Sequence, residues 1–438
     1  MHEKTPNFMG TAAAVAIAYW IVGALCRGLV NADTQTVPVW LAAGVVFGAL
    51  QVVSASRRTA VLAGALVASY VWGLTAHRLN AAAGVPFALI EVASAAAGAW
   101  VARQAARGTA NGLGEAAWLI GGALLTAALG ATLAAEFWRW QRPGAVYGAE
   151  WRAWAFSTAV GVLLAAPVIA AFRGFQVKRS GGMSMAQFGA GAVAFAVFLA
   201  VAGIVFGTGV QQRFGTVAAT LGYLPMPFLL LSAMVWGPRG GALAMLVGAL
   251  FIIGLTAIGG GPFAVADSFA GEAVIEVQAY VAVWAALVLL ARGLSESQRE
   301  AKARARDWQL RYERILGAAG VASVEFDAVT GAAVWDAHAA AVLGTEVFAL
   351  QHAADWHARI DAPDRALSEA AWNAVARGQQ PESTGVYTVR LASRVLAVQA
   401  QFAAVRGPDG AVERVAGLLR PVASAHGEEG AVRGSHHG

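Results

Sequence analysis

Four ionisable side chains stand inside or at the ends of long apolar segments of this chain. Glu91 lies near the middle of the apolar run 84–101, and Arg27 lies near the end of the first run. Glu272 and Glu276 stand one helical turn apart at the start of the last run. A charge within a bilayer costs about 3 kcal/mol or more, so it usually faces a partner or a cavity. These residues are candidates for a ligand or proton site. The alternative is structural ion pairs and side chains at the membrane interface.

The cysteine and histidine content bears on cofactors. The single cysteine, Cys26, lies in the first apolar run, which excludes a disulfide framework and any site that needs two thiolates. A flavin photoreceptor of the cysteine type is excluded as well, because no cysteine follows Cys26. His338, His352 and His357 are candidate haem ligands, but histidines that are exposed or packed in a core are commoner. We therefore predict no cofactor and no bound metal.

Patterns typical of enzymes are missing from the sequence. It has no glycine loop of the phosphate-binding GxxxxGK type and no histidine-kinase core or nucleotide-cyclase domain. No Ser–His–Asp set or group of metal ligands falls on one element. We predict that this chain is not an enzyme and has no catalytic residues.

The distribution of charge divides the chain in two. Of 438 residues, 58% are hydrophobic and 13% are charged, whereas an average soluble domain has about 25% charged residues. Charges are scarce between residues 9 and 291 and frequent from Arg292 onwards. Lipid is the simplest solvent for the first part. The net charge of +5 comes largely from short loops between apolar runs, which argues against nucleic acid as a partner.

About ten apolar runs are long enough to cross a bilayer, since roughly 20 helical residues span its hydrocarbon core. These runs are 9–30, 37–53, 59–76, 84–101, 116–135, 154–172, 188–206, 217–236, 241–258 and 273–291. The run 37–53 is short and has Pro38 near its start, so eight or nine spans are the alternative. The predicted fold class is a polytopic all-α membrane bundle of about 8–10 helices with a C-terminal α+β domain.

Lysine and arginine residues set the predicted orientation. With a cytosolic N-terminus, the inside loops contain Arg57, Arg58, Arg103, Arg107, Arg173, Lys178, Arg179 and Arg239. The outside loops contain Arg78, Arg139, Arg142, Arg152 and Arg213. This bias and the basic residues after 292 favour a multi-pass protein of the bacterial inner membrane whose C-terminal domain is cytosolic.

Aromatic, glycine and proline residues form short motifs along the apolar region. They are Trp40, Gly44, Trp154, Gly161, Pro167, Pro225, Trp236, Gly237, Gly261, Pro262 and Phe263, with Gln278 opening the last run. Their order and spacing resemble the first class of bacterial membrane-associated sensor domains, the MASE family, over about residues 10–292. The family usually has an aspartate shortly before the glycine that corresponds to Gly161, where this chain has Ser157 and Thr158. The resemblance implies that the region senses a stimulus and passes it to a cytosolic output.

A heptad pattern follows the apolar region. Leu294, Ala301, Trp308 and Ile315 recur every seven residues, within a stretch rich in arginine, glutamate and glutamine. This pattern is typical of a coiled coil. We expect residues 292–316 to form a helical connector, continuous with the last span, through which two copies dimerise in parallel. A single charged linker helix is the alternative.

Residues 317–422 read as two strands, helices and three further strands, which is an α+β order. The residues that stand out are Val324-Glu325-Phe326-Asp327, Thr330-Gly331, Trp335, Trp356 and Pro363-Asp364-Arg365. They resemble a PAS domain, although Asp361 and Ala362 stand where the family has His and Pro. The rest of the chain, 423–438, is rich in glycine, serine, histidine and glutamate and is expected to be disordered.

These parts together predict four regions: a membrane sensor (1–291), a connector (292–316), a PAS-like domain (317–422) and a tail (423–438). The predicted function is signal sensing and relay, with no output enzyme in the chain and with lipid, a second copy and a kinase, cyclase or response regulator as partners. One alternative is a transporter with a regulatory PAS-like domain, for which inverted repeats would be expected. Another is a truncated sensor histidine kinase or diguanylate cyclase.

Overall fold

The computed structural model describes residues 8–30, 36–109, 111–174, 183–263, 272–391 and 394–422. The chain divides into two compact units, 1–300 and 301–438. The predicted disordered tail, 423–438, lies outside the described residues.

The first unit is helical throughout its described elements. Its helices are α1 (Phe8–Arg27), α2 (Leu41–Val52), α3 (Arg58–Ala76), α4 (Ala81–Ala106), α5 (Gly112–Gln141), α6 (Tyr147–Ala171), α7 (Met185–Phe206), α8 (Val210–Phe214), α9 (Ala218–Leu221), α10 (Met226–Val235), α11 (Gly237–Ala257) and the first part of α12 (Glu272–Ala319). Within the described residues, nine helical segments are long and apolar enough to cross a membrane. The chain is therefore a multi-pass membrane protein, as its composition predicted.

One expected span is wrong. The run 37–53 does not cross the bilayer as one long helix, because α2 begins only at Leu41 and has 12 residues. About 20 residues are needed to cross the hydrocarbon core. Pro38 lacks a backbone N–H and disfavours helix in the residue before it, which is consistent with the late start of α2. Every residue from Leu41 to Leu50 is buried, so α2 is a core element of the bundle.

Two other regions differ in detail from the runs read off the sequence. The run 217–236 contains α9 and α10, which are separated by a turn ahead of Pro225. The last run and the predicted connector form the single helix α12, which is 48 residues long. Helix α12 thus continues from the apolar segment into the charged segment without a break.

Small residues allow the helices of the bundle to approach closely. A Cβ atom added to Gly44 of α2 would collide with the carbonyl oxygen of Gly161 in α6. A Cβ atom added to Gly161 would collide with the carbonyl oxygen of Trp40. Helix packing in membranes depends on such contacts, because the hydrophobic effect gives little driving force between helices there.

The second unit contains a five-stranded antiparallel sheet in the order β2-β1-β5-β4-β3. The strands are β1 (Ala322–Asp327), β2 (Ala333–Trp335), β3 (Glu382–Leu391), β4 (Arg394–Arg406) and β5 (Val412–Val422). Three helices, α13 (Ala339–Leu343), α14 (Ala353–Ala358) and α15 (Ala362–Ala376), lie between β2 and β3 in sequence. This architecture confirms the predicted α+β domain.

Burial alternates along the strands, as expected for a sheet with one covered face. In β1, Val324 and Phe326 are buried, whereas Glu325 and Asp327 between and after them are exposed. The buried residues of the strands pack with those of the helices into one core around Trp356. Strand β3 begins at Glu382 rather than at 386, because residues 382–385 also pair with β4.

Candidate functional site

Glu91 lies in the middle of α4 with its side chain enclosed by three hydrogen-bond donors. Only 2% of the residue is exposed. Its Oε2 atom accepts hydrogen bonds from the Tyr19 hydroxyl at 2.5 Å and from the Ser69 hydroxyl. Its Oε1 atom accepts a hydrogen bond from the indole Nε1 of Trp40. We call these four residues the Glu91 cluster.

The Glu91 cluster collects side chains from separate parts of the bundle. Tyr19 lies on α1, Ser69 lies on α3, and Trp40 immediately precedes α2. The backbone N–H of Trp40 donates to the carbonyl oxygen of Ser157 in α6 at 3.0 Å, which fixes the position of the indole. The absence of a side chain at Gly161 makes room for the Trp40 backbone.

Aromatic rings form one wall of the cluster. The Trp40 ring is 6.0 Å from that of Tyr19 and 5.5 Å from that of Trp72, and the rings of Trp20 and Trp72 are 5.2 Å apart. These edge-on and tilted arrangements are the ones that aromatic pairs prefer. The rings keep the surroundings of the carboxyl apolar and dense.

The chemistry of the Glu91 cluster is that of a carboxyl group held by neutral donors. An indole N–H can only donate, so the Oε1 atom that it contacts acts as an acceptor. Within the described residues, Glu91 forms no ion pair with a lysine, arginine or histidine, and it is the one Asp, Glu, Lys or Arg residue that is buried. Such a carboxyl can take up a proton or exchange one donor for a polar ligand, and either event would change the hydrogen bonds of the cluster.

A short backbone segment joins the Glu91 cluster to α12. The carbonyl oxygen of Pro38 accepts a hydrogen bond of 2.7 Å from the side-chain Nε2 of Gln278 in α12. Gln278 is 2% exposed. Two residues further along, Trp40 donates to Glu91. The segment 38–40 therefore contacts the carboxyl at one end and α12 at the other.

The other predicted intramembrane residues do not join this cluster. Arg27 lies in the last turn of α1 and is exposed. Glu272 is half-buried at the first position of α12, and Glu276 is exposed one turn later. None of the three donors to Glu91 comes from these residues.

The motif residues up to α6 include Trp40 of the Glu91 cluster and other positions at which the helices pack together. Gly44 and Gly161 form the close contact between α2 and α6. The ring of Trp154 packs 6.0 Å from that of Phe87, which lies one turn before Glu91 on α4. Pro167 is buried inside α6.

The later motif residues shape the ends of helices. Gly237 has a positive φ of 68° at the start of α11, next to Trp236, whose Nε1 donates to the carbonyl of Phe188 at 3.1 Å. Gly261 has a φ of 97° and donates its backbone N–H to the carbonyl of Gly207 at 3.1 Å. Pro225 occupies the N-cap position of α10. The Pro262 carbonyl accepts a hydrogen bond of 2.6 Å from the Gln211 side chain. The Phe263 ring lies 5.6 Å from the Tyr280 ring.

The sequence singled out Glu91 but not its two hydroxyl donors. Tyr19 and Ser69 are isolated polar residues in apolar runs, and such residues are common in membrane helices. No spacing relates them to Glu91, because each lies on a different helix. Their meeting depends on how α1, α3 and α4 pack.

The profile of the MASE1 family matches residues 9–299. The chain belongs to the MASE1 family. Domains of this family are membrane sensors, and the match includes every residue of the Glu91 cluster and Gln278. The match ends before the C-terminal sheet, so the PAS resemblance of that unit remains a prediction.

Comparisons with solved structures and curated proteins add no functional assignment for this MASE1 chain. It is similar to a solved structure described as the domain of the putative light and redox sensing histidine kinase from Haloarcula marismortui, with 20% identity and a TM-score of 0.21. That similarity covers 23% of this chain and 89% of the other. No curated protein matches the chain.

Proposed function

We propose that this MASE1 chain is a sensor of the bacterial inner membrane that relays a change at the Glu91 cluster along α12 to its C-terminal domain. The observation that carries the proposal is the connection through residues 38–40, with Trp40 bonded to Glu91 and Pro38 bonded to Gln278. In this proposal the chain has no output enzyme of its own, and the C-terminal domain is a cytosolic, PAS-like relay. Because the nine spans of the described residues are an odd number, a cytosolic C-terminal domain puts the N-terminus on the outside, in place of the cytosolic N-terminus expected with ten spans.

The free energy of one buried hydrogen bond in the Glu91 cluster is similar in size to the coupling free energy that signalling needs. A buried polar group that loses its hydrogen-bond partner costs about 1–3 kcal/mol. Coupling free energies between allosteric sites are also about 1–3 kcal/mol. A stimulus that protonates Glu91, or replaces Trp40 as its donor, would therefore be able to shift an equilibrium between two positions of α12.

Helix α12 is suited to carry such a shift because it is continuous over 48 residues. Three of its heptad residues are well exposed: Leu294 at 48%, Trp308 at 70% and Ile315 at 66%. We propose that this seam pairs with the same seam of a second copy, so that movement of the spans changes the pairing. The output then belongs to a kinase, cyclase or response regulator that contacts the relay.

Cysteine cross-linking in native membranes tests the dimer and its coupling together. The full chain with Cys26→Ala removes the buried native thiol, and Trp308→Cys adds a thiol on the seam. Leu310→Cys is the matched control, because Leu310 is exposed on α12 but lies off the heptad seam. We expect oxidative cross-linking at 308 and much less at 310; equal yields at both positions would refute the seam.

The coupling is tested by adding Glu91→Gln to the Trp308→Cys chain. We expect the cross-linking rate to change by more than twofold, because the amide cannot accept three donors as a carboxylate does. Glu136→Gln is the control, since Glu136 is an exposed residue of α5 paired only with Arg139 in the described residues. An unchanged rate with Glu91→Gln would refute transmission from the cluster.

The output and the alternative of transport are separated by two further measurements. Co-purification of the full chain from native membranes is expected to recover a kinase, cyclase or response regulator. Solute uptake into proteoliposomes that contain only this chain would instead favour a transporter.

A further inference from the structure

The second unit has an open cleft between the end of α12 and the sheet. Its volume is about 620 Å³, within the roughly 300–1,000 Å³ typical of small-molecule sites. Arg314 of α12, His338 beside α13 and Arg420 of β5 lie around it, and small residues of the segment 317–320 form much of its wall. Three separate elements of the fold thus meet at one cavity.

The cleft is basic and its arginines are not engaged elsewhere. Its lining includes two arginines and a histidine but no aspartate or glutamate. In the part of the chain that the structure describes, neither Arg314 nor Arg420 forms an ion pair or a side-chain hydrogen bond. Neighbouring arginines differ in this respect, since Arg414 pairs with Glu325 at 2.7 Å.

Asp336, two residues before His338, is already occupied by backbone donors. Both carboxylate oxygens of Asp336 accept backbone hydrogen bonds, one from the N–H of Ser323 and one from the N–H of His338 at 2.6 Å. These bonds fix the turn that carries the His338 ring. They do not supply a counter-charge to the two arginines, because no ion pair links Asp336 to either of them within the described residues.

The end of α12 also does not explain the arginines. Gly320 has a φ of 66° and donates to the carbonyl of Gly317 at 3.1 Å, while Val321 donates to the carbonyl of Leu316 at 3.0 Å. This is the glycine-terminated arrangement that satisfies the last helical carbonyls with backbone groups. The helix end therefore needs no arginine side chain as a cap.

We propose that this cleft binds a small dianion of the phosphate or dicarboxylate class. Guanidinium groups from two different elements can each bind one charged group or face of such a ligand, and each can form paired hydrogen bonds to it. A bound dianion would join Arg314 at the end of α12 to Arg420 on β5 and so stiffen the junction that a relay must use. This inference does not depend on the role proposed for Glu91.

The test is a titration of the full chain in nanodiscs of zwitterionic phosphatidylcholine, so that no anionic headgroup competes. Inorganic phosphate and succinate are the two probes, and each is added at constant ionic strength set with KCl. Isothermal calorimetry is expected to show saturable binding of at least one probe. The probe that binds more tightly identifies the class as phosphate or dicarboxylate.

Single variants then locate the site. Arg314→Gln and Arg420→Gln should each weaken binding about tenfold or more, because charge-assisted hydrogen bonds contribute strongly to affinity. Arg377→Gln is the matched control, since Arg377 is an exposed arginine at the end of α15 that does not line the cleft. It should leave the affinity unchanged.

Three results would overturn the proposal. The first is the absence of saturable binding of both probes, and the second is an equal loss of affinity in Arg377→Gln. The third is full affinity in Arg314→Gln and Arg420→Gln. If a glutamine variant misfolds by near-ultraviolet circular dichroism, Arg314→Lys and Arg420→Lys decide the matter. Lysine keeps the charge but loses the paired geometry, so an intermediate affinity is expected and an unchanged one would count against the site.

Discussion

Replacing Trp40 by phenylalanine isolates the hydrogen bond that links the Glu91 carboxyl to the segment before α2. The substitution removes the indole Nε1 that donates to Glu91 but keeps an aromatic ring at the position. It also removes ring atoms from a buried site, and this loss of packing alone destabilises a protein. The measured change in the free energy of unfolding is therefore the sum of a packing part and a hydrogen-bond part.

Trp72→Phe supplies the packing part. Trp72 is buried in the same aromatic wall, 5.5 Å from Trp40, and its indole makes no hydrogen bond within the described residues. The two substitutions remove the same atoms. We expect Trp40→Phe to cost about 1–3 kcal/mol more than Trp72→Phe, the cost of leaving a buried hydrogen-bonding group without its partner.

The assay is reversible unfolding of the full chain in mixed micelles. Unfolding is monitored by far-ultraviolet circular dichroism, because this signal reports on the backbone rather than on the tryptophans that the variants lack. Unfolding free energies of the wild type and both variants are compared at one pH and one lipid composition. A difference between the variants below about 0.5 kcal/mol would refute the reasoning, because the bond to Glu91 would then contribute no more than a surface contact. The Glu91→Gln background should shrink the difference, since an amide has only one acceptor oxygen to share among the three donors.

Three further outcomes are expected. Gly161→Ala should cost at least about 1–3 kcal/mol or prevent folding, because a Cβ atom there would collide with the Trp40 backbone. At Gly189 a Cβ atom would meet open space, so Gly189→Ala should be neutral. The yield of folded protein in membranes checks both predictions. Gln278→Leu should cost about 1–3 kcal/mol by leaving a buried carbonyl unpaired, as measured by unfolding in micelles. Burial lowers the pKa of His357 below its usual value of about 6.5. As the pH falls, the unfolded chain therefore binds a proton at His357 before the folded chain does. Stability should then be full above about pH 6.5 and fall as the pH decreases, and His357→Gln should remove this dependence in denaturant unfolding while the exposed His352→Gln should keep it.

The sequence located the membrane region and the α+β domain because both depend on local composition. Apolar runs between basic loops predict spans without any knowledge of how helices pack. Strand alternation around residues such as Val324 and Phe326 likewise depends only on neighbours in sequence. These elements appear in the structure near their predicted bounds, and α12 is as continuous as the connector pattern suggested.

The contents of the site could not be read in the same way. Tyr19, Ser69 and Trp40 lie far apart in sequence from one another and from Glu91, and only helix packing brings them together. The short length of α2 was also hard to anticipate, because a buried helix and a membrane-spanning helix share an apolar composition. The short length of the run 37–53 and Pro38 near its start were the local signs that this run differs from the others.

Burial separates Glu91 from the other acids that the sequence placed in the membrane. Glu276 is exposed and Glu272 is half-buried at a helix start, so water or lipid headgroups can solvate both. Glu91 has no such access, and its cost is offset by three donors taken from three parts of the bundle. The Glu91 carboxyl keeps its three hydrogen bonds only while α1, α3 and the residue before α2 hold their positions. A movement of any of them would change its hydrogen bonding. That dependence, rather than the presence of a charge alone, is the reason why we propose that a change in the spans is sensed at the Glu91 cluster and passed through residues 38–40 to α12.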